Sequence, residues 1–168
     1  MGIRGELYRK KEKDNHLDDP YLTQIKYDDP TLCPSCGAVY HNKHWTLDEK
    51  IKEKVLSRQY AERLCPACRK IRDRYVMGWV EIRGSFFEKH REDIMNTIKR
   101  EEERAWKKNP LEKIISIKEE GDRVVIETTT ESLATRLGRI LHRSYKGKLD
   151  YKFSDEAKFV RLIWEREA

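Results

Sequence analysis

The chain has 168 residues, 36 Lys and Arg against 30 Asp and Glu, and a formal net charge of +6. Its charged fraction is 39% and its mean hydropathy is −0.91. No apolar run approaches the ~20 residues that a bilayer span needs, and the opening MGIRGELYRKKEKD lacks the hydrophobic core of a secretion signal. These features exclude a membrane-spanning class and lead to the expectation of a cytoplasmic protein of one ordinary domain or two small ones.

Residues 1–31 hold few large apolar side chains, two DDP tripeptides at 18–20 and 28–30, and a basic RKKEK run at 9–13. Prolines at 20 and 30 interrupt any long helix, and the apolar content is too low to offset the ordering entropy of the backbone. A flexible N-terminal arm is expected over 1–31, either a leader without a role or a segment that orders on a partner.

Four cysteines follow, Cys33 and Cys36 in CPSCG and Cys65 and Cys68 in CPACR, with 28 residues between the pairs. In a reducing cytosol two CxxC pairs point to metal binding, because each turn brings two sulfurs within reach of one ion. A thioredoxin-like redox pair needs a βαβ unit around its CxxC, and nothing upstream of Cys33 supplies one. Gly37 permits the positive φ such a turn needs, while the second pair runs into RKIRDRY and is expected to open a helix. Between the pairs, AVYHNKHWT at 38–46 reads as two short strands around Asn42-Lys43. A helix is expected over 47–64 through Leu47, Ile51, Val55, Leu56 and Tyr60. Knuckle, hairpin and helix-borne ligands form a small treble-clef or ribbon-like module over 32–77. It is shorter than the ~70–80 residues at which a core alone suffices, so one structural Zn2+ is expected to decide its folding. His41 and His44 are open to two readings, as extra ligands or as polar surface.

Residues 78–168 alternate strand and helix patterns. WVEIRG at 79–84 is a strand, and Ser85 with Glu88 reads as a capping box. The helix it opens carries Phe87, Ile94, Ile98 and Ala105 inward and stops at Asn109-Pro110. IISIKEEGDRVVIETTT is a hairpin turning at 120–122, and ESLATRLGRILHRSY is amphipathic. KLDYKFSD and KFVRLIWER alternate as strands. The order βαββαβ with a final extra strand makes the fold class α+β, with a ferredoxin-like (split βαβ) antiparallel sheet backed by two helices on one face.

The positive imbalance sits in the cysteine segment, with ten Lys and Arg against five Asp and Glu over 32–76. Arg69, Lys70, Arg72 and Arg74 would cluster beside the metal, with Lys50, Lys54 and Arg58 on the preceding helix. Arg136, Arg139, Arg143 and Lys146 form a stripe on the last helix. Each set is open to two readings, a phosphate-binding surface or a solvated helix face. No Gly-rich phosphate loop, GxSxG, HExxH or paired-carboxylate pattern occurs, so no enzyme activity is expected.

CPSCG and CPAC, then VEIRGSFFEKHREDI, then ISIKEEGDRVVIETTTESLATRLGRILHRSYKGKLDYKFS, resemble the zinc-binding front end and following domain of the large-ribosomal-subunit export adaptor family of archaea and eukaryotes. A group of short bacterial CxxC proteins shares the layout. The resemblance covers roughly residues 32–166 and implies a zinc protein that docks on ribosomal RNA or the large subunit and acts by occupancy. Cys33, Cys36, Cys65 and Cys68 carry over as ligands. The family has more CxxC pairs than this chain and further domains, so its docking site does not carry over. The alternative is a protein-interaction adaptor that uses the C-terminal domain, with zinc purely structural.

Overall fold

The computed structural model describes residues 18–168. The RKKEK run and the rest of 1–17 lie outside the described residues. The remainder of the expected arm, 18–31, is packed against the cysteine module. Asp19 caps a short helix α1 (Pro20–Thr23) through a hydrogen bond from the Tyr21 N–H, and Thr31 begins strand β1 (Thr31–Leu32) with no exposure to solvent.

Strands β2 (Val39–His41) and β3 (His44–Thr46) form the expected hairpin. Asn42 and Lys43 both take positive φ, 51° and 65°, which gives the turn the twist of its strands. Helix α2 (Glu49–Leu56) starts at Asp48, whose carboxylate accepts from the N–H groups of Lys50 and Ile51. It ends well short of the 64 expected, because residues 61–62 are taken by a strand. That strand, β4 (Ala61–Glu62), pairs in parallel with β1, which is antiparallel to β2. The first sheet thus runs β3-β2-β1-β4. Helix α3 (Pro66–Asp73) follows directly.

The second sheet contains β5 (Gly78–Arg83), β6 (Ile114–Glu120), β7 (Arg123–Thr128), β8 (Lys148–Phe153) and β9 (Val160–Glu165), in the order β6-β7-β5-β9-β8. The fold class is therefore α+β with two mixed sheets. The final strand does not simply extend the antiparallel sheet: β9 enters between β5 and β8 and runs parallel to β5. Burial explains the choice, since Val160, Leu162 and Trp164 of β9 are fully buried, whereas β8 alternates with exposed Lys148, Asp150 and Lys152 and suits an edge.

The long helix is broken at His90 into α4 (Ser85–Lys89) and α5 (Arg91–Lys108). Ser85 is not its cap. The Ser85 hydroxyl donates to Glu167 at 2.7 Å, and Gly84 occupies the position before the first turn. Helix α6 (Glu131–Tyr145) has a Thr130 cap that accepts from the Leu133 N–H at 3.0 Å. Helices α5 and α6 cover one face of the sheet, burying Ile94, Ile98, Leu133, Leu137 and Leu141 against Val80, Ile126, Leu162 and Trp164. The other face carries no helix among the described residues. At its centre Glu81, 0% exposed, accepts from Arg123 at 2.7 Å, Arg83 at 2.9 Å and Arg161 at 3.4 Å, so three arginine stems roof the strands.

Gly84 links β5 to α4 at φ 110°, and a Cβ there would collide with the Arg166 carbonyl oxygen. Both conformation and space exclude a side chain. Gly84→Ala should cost about 3 kcal/mol of stability, measured by chemical denaturation, while leaving the metal content of the protein unchanged.

Candidate metal centre

Each pair of thiols is positioned by a different local device. Around the first pair, the Cys33 N–H donates to the Ala38 carbonyl at 2.8 Å and the Gly37 N–H returns to the Cys33 carbonyl at 3.0 Å, closing a tight turn with Gly37 at φ 82°. Cys65 is the N-cap of α3: its sulfur accepts from the Cys68 N–H at 3.4 Å, which directs both sulfurs of the pair toward the same side of the first helical turn. Pro66 suits the first helical position, where no backbone donor is needed.

The four sulfurs lie within 4.8 Å of one another, and the Cys36 and Cys65 sulfurs are 3.8 Å apart. A tetrahedral ion with metal–sulfur bonds of about 2.3 Å separates its ligands by about 3.8 Å, so the cluster has the dimensions of a single four-thiolate site. All four cysteines are free of disulfides. Cys33 and Cys65 are 0% exposed and Cys68 7%. Four thiols held this closely cannot ionise independently. Hydrogen bonds from Cys36, Cys65 and Cys68 draw Cys33 far below the ordinary thiol range, and contact with the Cys33 sulfur drives Cys36 and Cys65 above it. A dication resolves that competition by accepting all four as thiolates. Neither histidine of the hairpin joins the cluster: His41 Nδ1 is 2.8 Å from Asp29 and His44 sits opposite it at the hairpin tip.

Of the cations grouped around the metal by sequence, Lys70 has a different role. It is 2% exposed, and its ammonium donates to Asp19 at 2.5 Å and to the Thr129 carbonyl at 2.8 Å. It therefore ties the residue-19 segment, α3 and the second sheet together instead of facing a ligand. Burial lowers its pKa, opposed by Asp19. Arg69 donates to the Leu64 carbonyl at 3.1 Å and lies over the Tyr27 ring, and Arg72 pairs with Asp73 at 2.9 Å. Arg74 is exposed at the left-handed C-terminus of α3. Lys50, Lys54 and Arg58 are exposed on and just beyond α2, with no carboxylate partner among the described residues. On α6, Arg136 approaches Glu101 at 3.8 Å, while Arg139, Arg143 and the Lys146 that follows the helix are exposed.

Sequence reasoning missed Asp19, Leu111 and an aromatic group. Leu111, from the α5–β6 connection, packs on the cysteine cluster and brings the second sheet's side of the chain against it. Tyr27, Tyr40 and Trp45 pack together with ring centroids 4.9 to 5.8 Å apart. The one signal in the sequence was the alternation of these aromatics with Lys26, Lys43 and His44. No helix among the described residues is long and apolar enough to cross a membrane. No protein-family model matches the chain, and no curated protein matches it.

Elemental analysis should find one tightly held metal ion per chain, and Cys65→Ser, which removes a buried sulfur and the α3 cap together, should lose most of it. Lys70→Met leaves the Asp19 carboxylate buried and should cost about 3–5 kcal/mol, with Asp19→Leu in the same chain recovering a large part in a double-mutant cycle.

Proposed function

We propose that the protein is a zinc-stabilised, non-catalytic RNA-binding protein, in which a treble-clef-type cysteine module contacts phosphates and a ferredoxin-like domain with one inserted strand positions it. The reading rests on a closed four-sulfur site in a module whose α2 cations form no ion pair among the described residues. Four protein sulfurs leave no coordination position for water, as a catalytic zinc requires, and all-thiolate ligation favours zinc in a cell. Lys50, Lys54 and Arg58 are exposed on and just beyond α2 and form no ion pair among the described residues, which suits them to contact phosphates without base readout. The resemblance to the export adaptor family makes ribosomal RNA of the large subunit the RNA of first choice, with a role in assembly, translation or dormancy.

The rival is a protein adaptor that works through the second domain. Its sheet face opposite α5 and α6 carries Arg83, Arg123 and Arg161, paired with Glu81, Glu120 and Glu165, which leaves little apolar area for a partner. The exposed Arg139, Arg143 and Lys146 at the end of α6 are its better candidate surface.

Sedimentation with ribosomal particles at low and high salt separates the two. Phosphate docking through about four contacts predicts loss on the order of a hundredfold between about 50 and about 200 mM salt. Reversing Lys50, Lys54 and Arg58 to Glu should abolish association at both salts. Association that survives these substitutions but disappears on reversing Arg139 and Arg143 would establish the adaptor instead.

A further inference from the structure

A groove of about 1130 Å³ runs between α1 with the segment that follows it, the β2–β3 hairpin and the C-terminal end of α5. Eighteen residues line it, and in a chain with 30 Asp and Glu none of the eighteen is acidic. Three are lysines, Lys26, Lys43 and Lys108, contributed by three separate elements; all are exposed, and none has an ion-pair partner among the described residues. One wall is aromatic. Tyr27, Tyr40 and Trp45 are each half-buried, with Tyr27 edge-on to Trp45 at 4.9 Å. The guanidinium groups of Arg63 and Arg69 sit 5.4 and 5.7 Å from the centre of the Tyr27 ring, so positive charge is fixed against this wall. Both guanidiniums also donate to backbone carbonyls, of Lys26 and Leu64, which holds them in place. The carboxylate behind the hairpin, Asp29, is already engaged by His41 Nδ1 at 2.8 Å and the Asn42 N–H at 3.0 Å, contacts that hold its carboxyl below the usual range.

Half-buried aromatic rings beside unpaired cations, with no acid in the lining, are the chemistry of a site for exposed bases on a phosphate chain. Resting on the RNA-binding reading above, we infer that this groove takes a single-stranded RNA segment, with unpaired bases against Tyr40 and Trp45 and phosphates on Lys26, Lys43 and Lys108. A duplex keeps its bases stacked and paired and so gains only the phosphate contacts, which the α2 cations supply without the groove. The two surfaces therefore divide the work: α2 holds any phosphate backbone, and the groove selects for unpaired nucleotides.

The test is fluorescence anisotropy with the full chain, using a short labelled oligouridylate, an RNA hairpin duplex with the same number of phosphates, and a polyglutamate peptide of equal charge. Oligouridylate should bind roughly tenfold or more tightly than the duplex, the worth of stacking about one base. Tyr40→Leu, which keeps apolar volume but removes the ring, should weaken oligouridylate roughly tenfold with duplex binding and metal content unchanged. The triple variant Lys26→Gln, Lys43→Gln, Lys108→Gln should do likewise without touching the aromatic packing. Equal affinity for single strand and duplex, unaffected by either variant, overturns the groove assignment and leaves RNA binding standing. Absence of binding to both RNAs overturns RNA binding and the groove together. Tighter binding of polyglutamate than of oligouridylate reassigns the groove to an acidic protein segment and overturns the RNA assignment.

Discussion

Four sulfurs converging on a space the size of one ion are the constraint on which the cysteine module depends. Its strands are two or three residues long and its buried apolar side chains are few, Ala38, Val39, Val55, Ala67 and the cysteines, with half-buried Trp45 and Leu64 and, from outside the module, Leu111. Such a core cannot offset the ordering entropy of the loops around it. Thiols crowded this closely resist ionising together, and a cation sharing their charge would relieve that resistance. A metal bound there would take the place of a hydrophobic core in fixing the hairpin, α2 and α3.

A second constraint joins that module to the rest of the molecule. The Lys70 ammonium reaches Asp19 on one side and the Thr129 carbonyl on the other, while Leu111 closes over the sulfurs. A buried charge of this kind contributes less through its own strength than through what its loss would leave unpaired. It specifies one relative placement of the residue-19 segment, α3 and the second sheet. The groove bounded by that segment, the hairpin and α5 depends on that placement, and so on a residue that does not line it.

Charge is distributed in a way that the total of +6 conceals. On the Glu81 face of the second sheet cations are answered locally, Arg83 by Glu81 and Glu165, Arg123 by Glu81 and Glu120, and Arg161 by Glu81. Around α2 and the groove they are not. Unanswered cations on the cysteine module put the proposed binding surface on the part of the protein that a metal would stabilise. Metal loss would then remove both shape and affinity at once.

Local patterns legible in the sequence reappear in the structure because they depend only on near neighbours. The CxxC spacing, Gly37 with its positive φ, the Asn42-Lys43 turn, and the apolar periodicity of Ile94, Ile98, Leu133 and Leu137 all belong to this group. The shortness of α2, the burial of Lys70 and the packing of 18–31 were not legible, since each depends on a partner distant in the chain: β1 for β4, Asp19 and Thr129 for Lys70, Asp73 for Tyr21. The ferredoxin-like order did not anticipate where β9 inserts for the same reason, strand pairing being chosen by burial across the whole sheet. Which residues can ligate a metal, and which faces are apolar, follows from the order of the amino acids. Which cations stay free to bind follows only from the folded chain, because a charge is open or spent according to what packs against it.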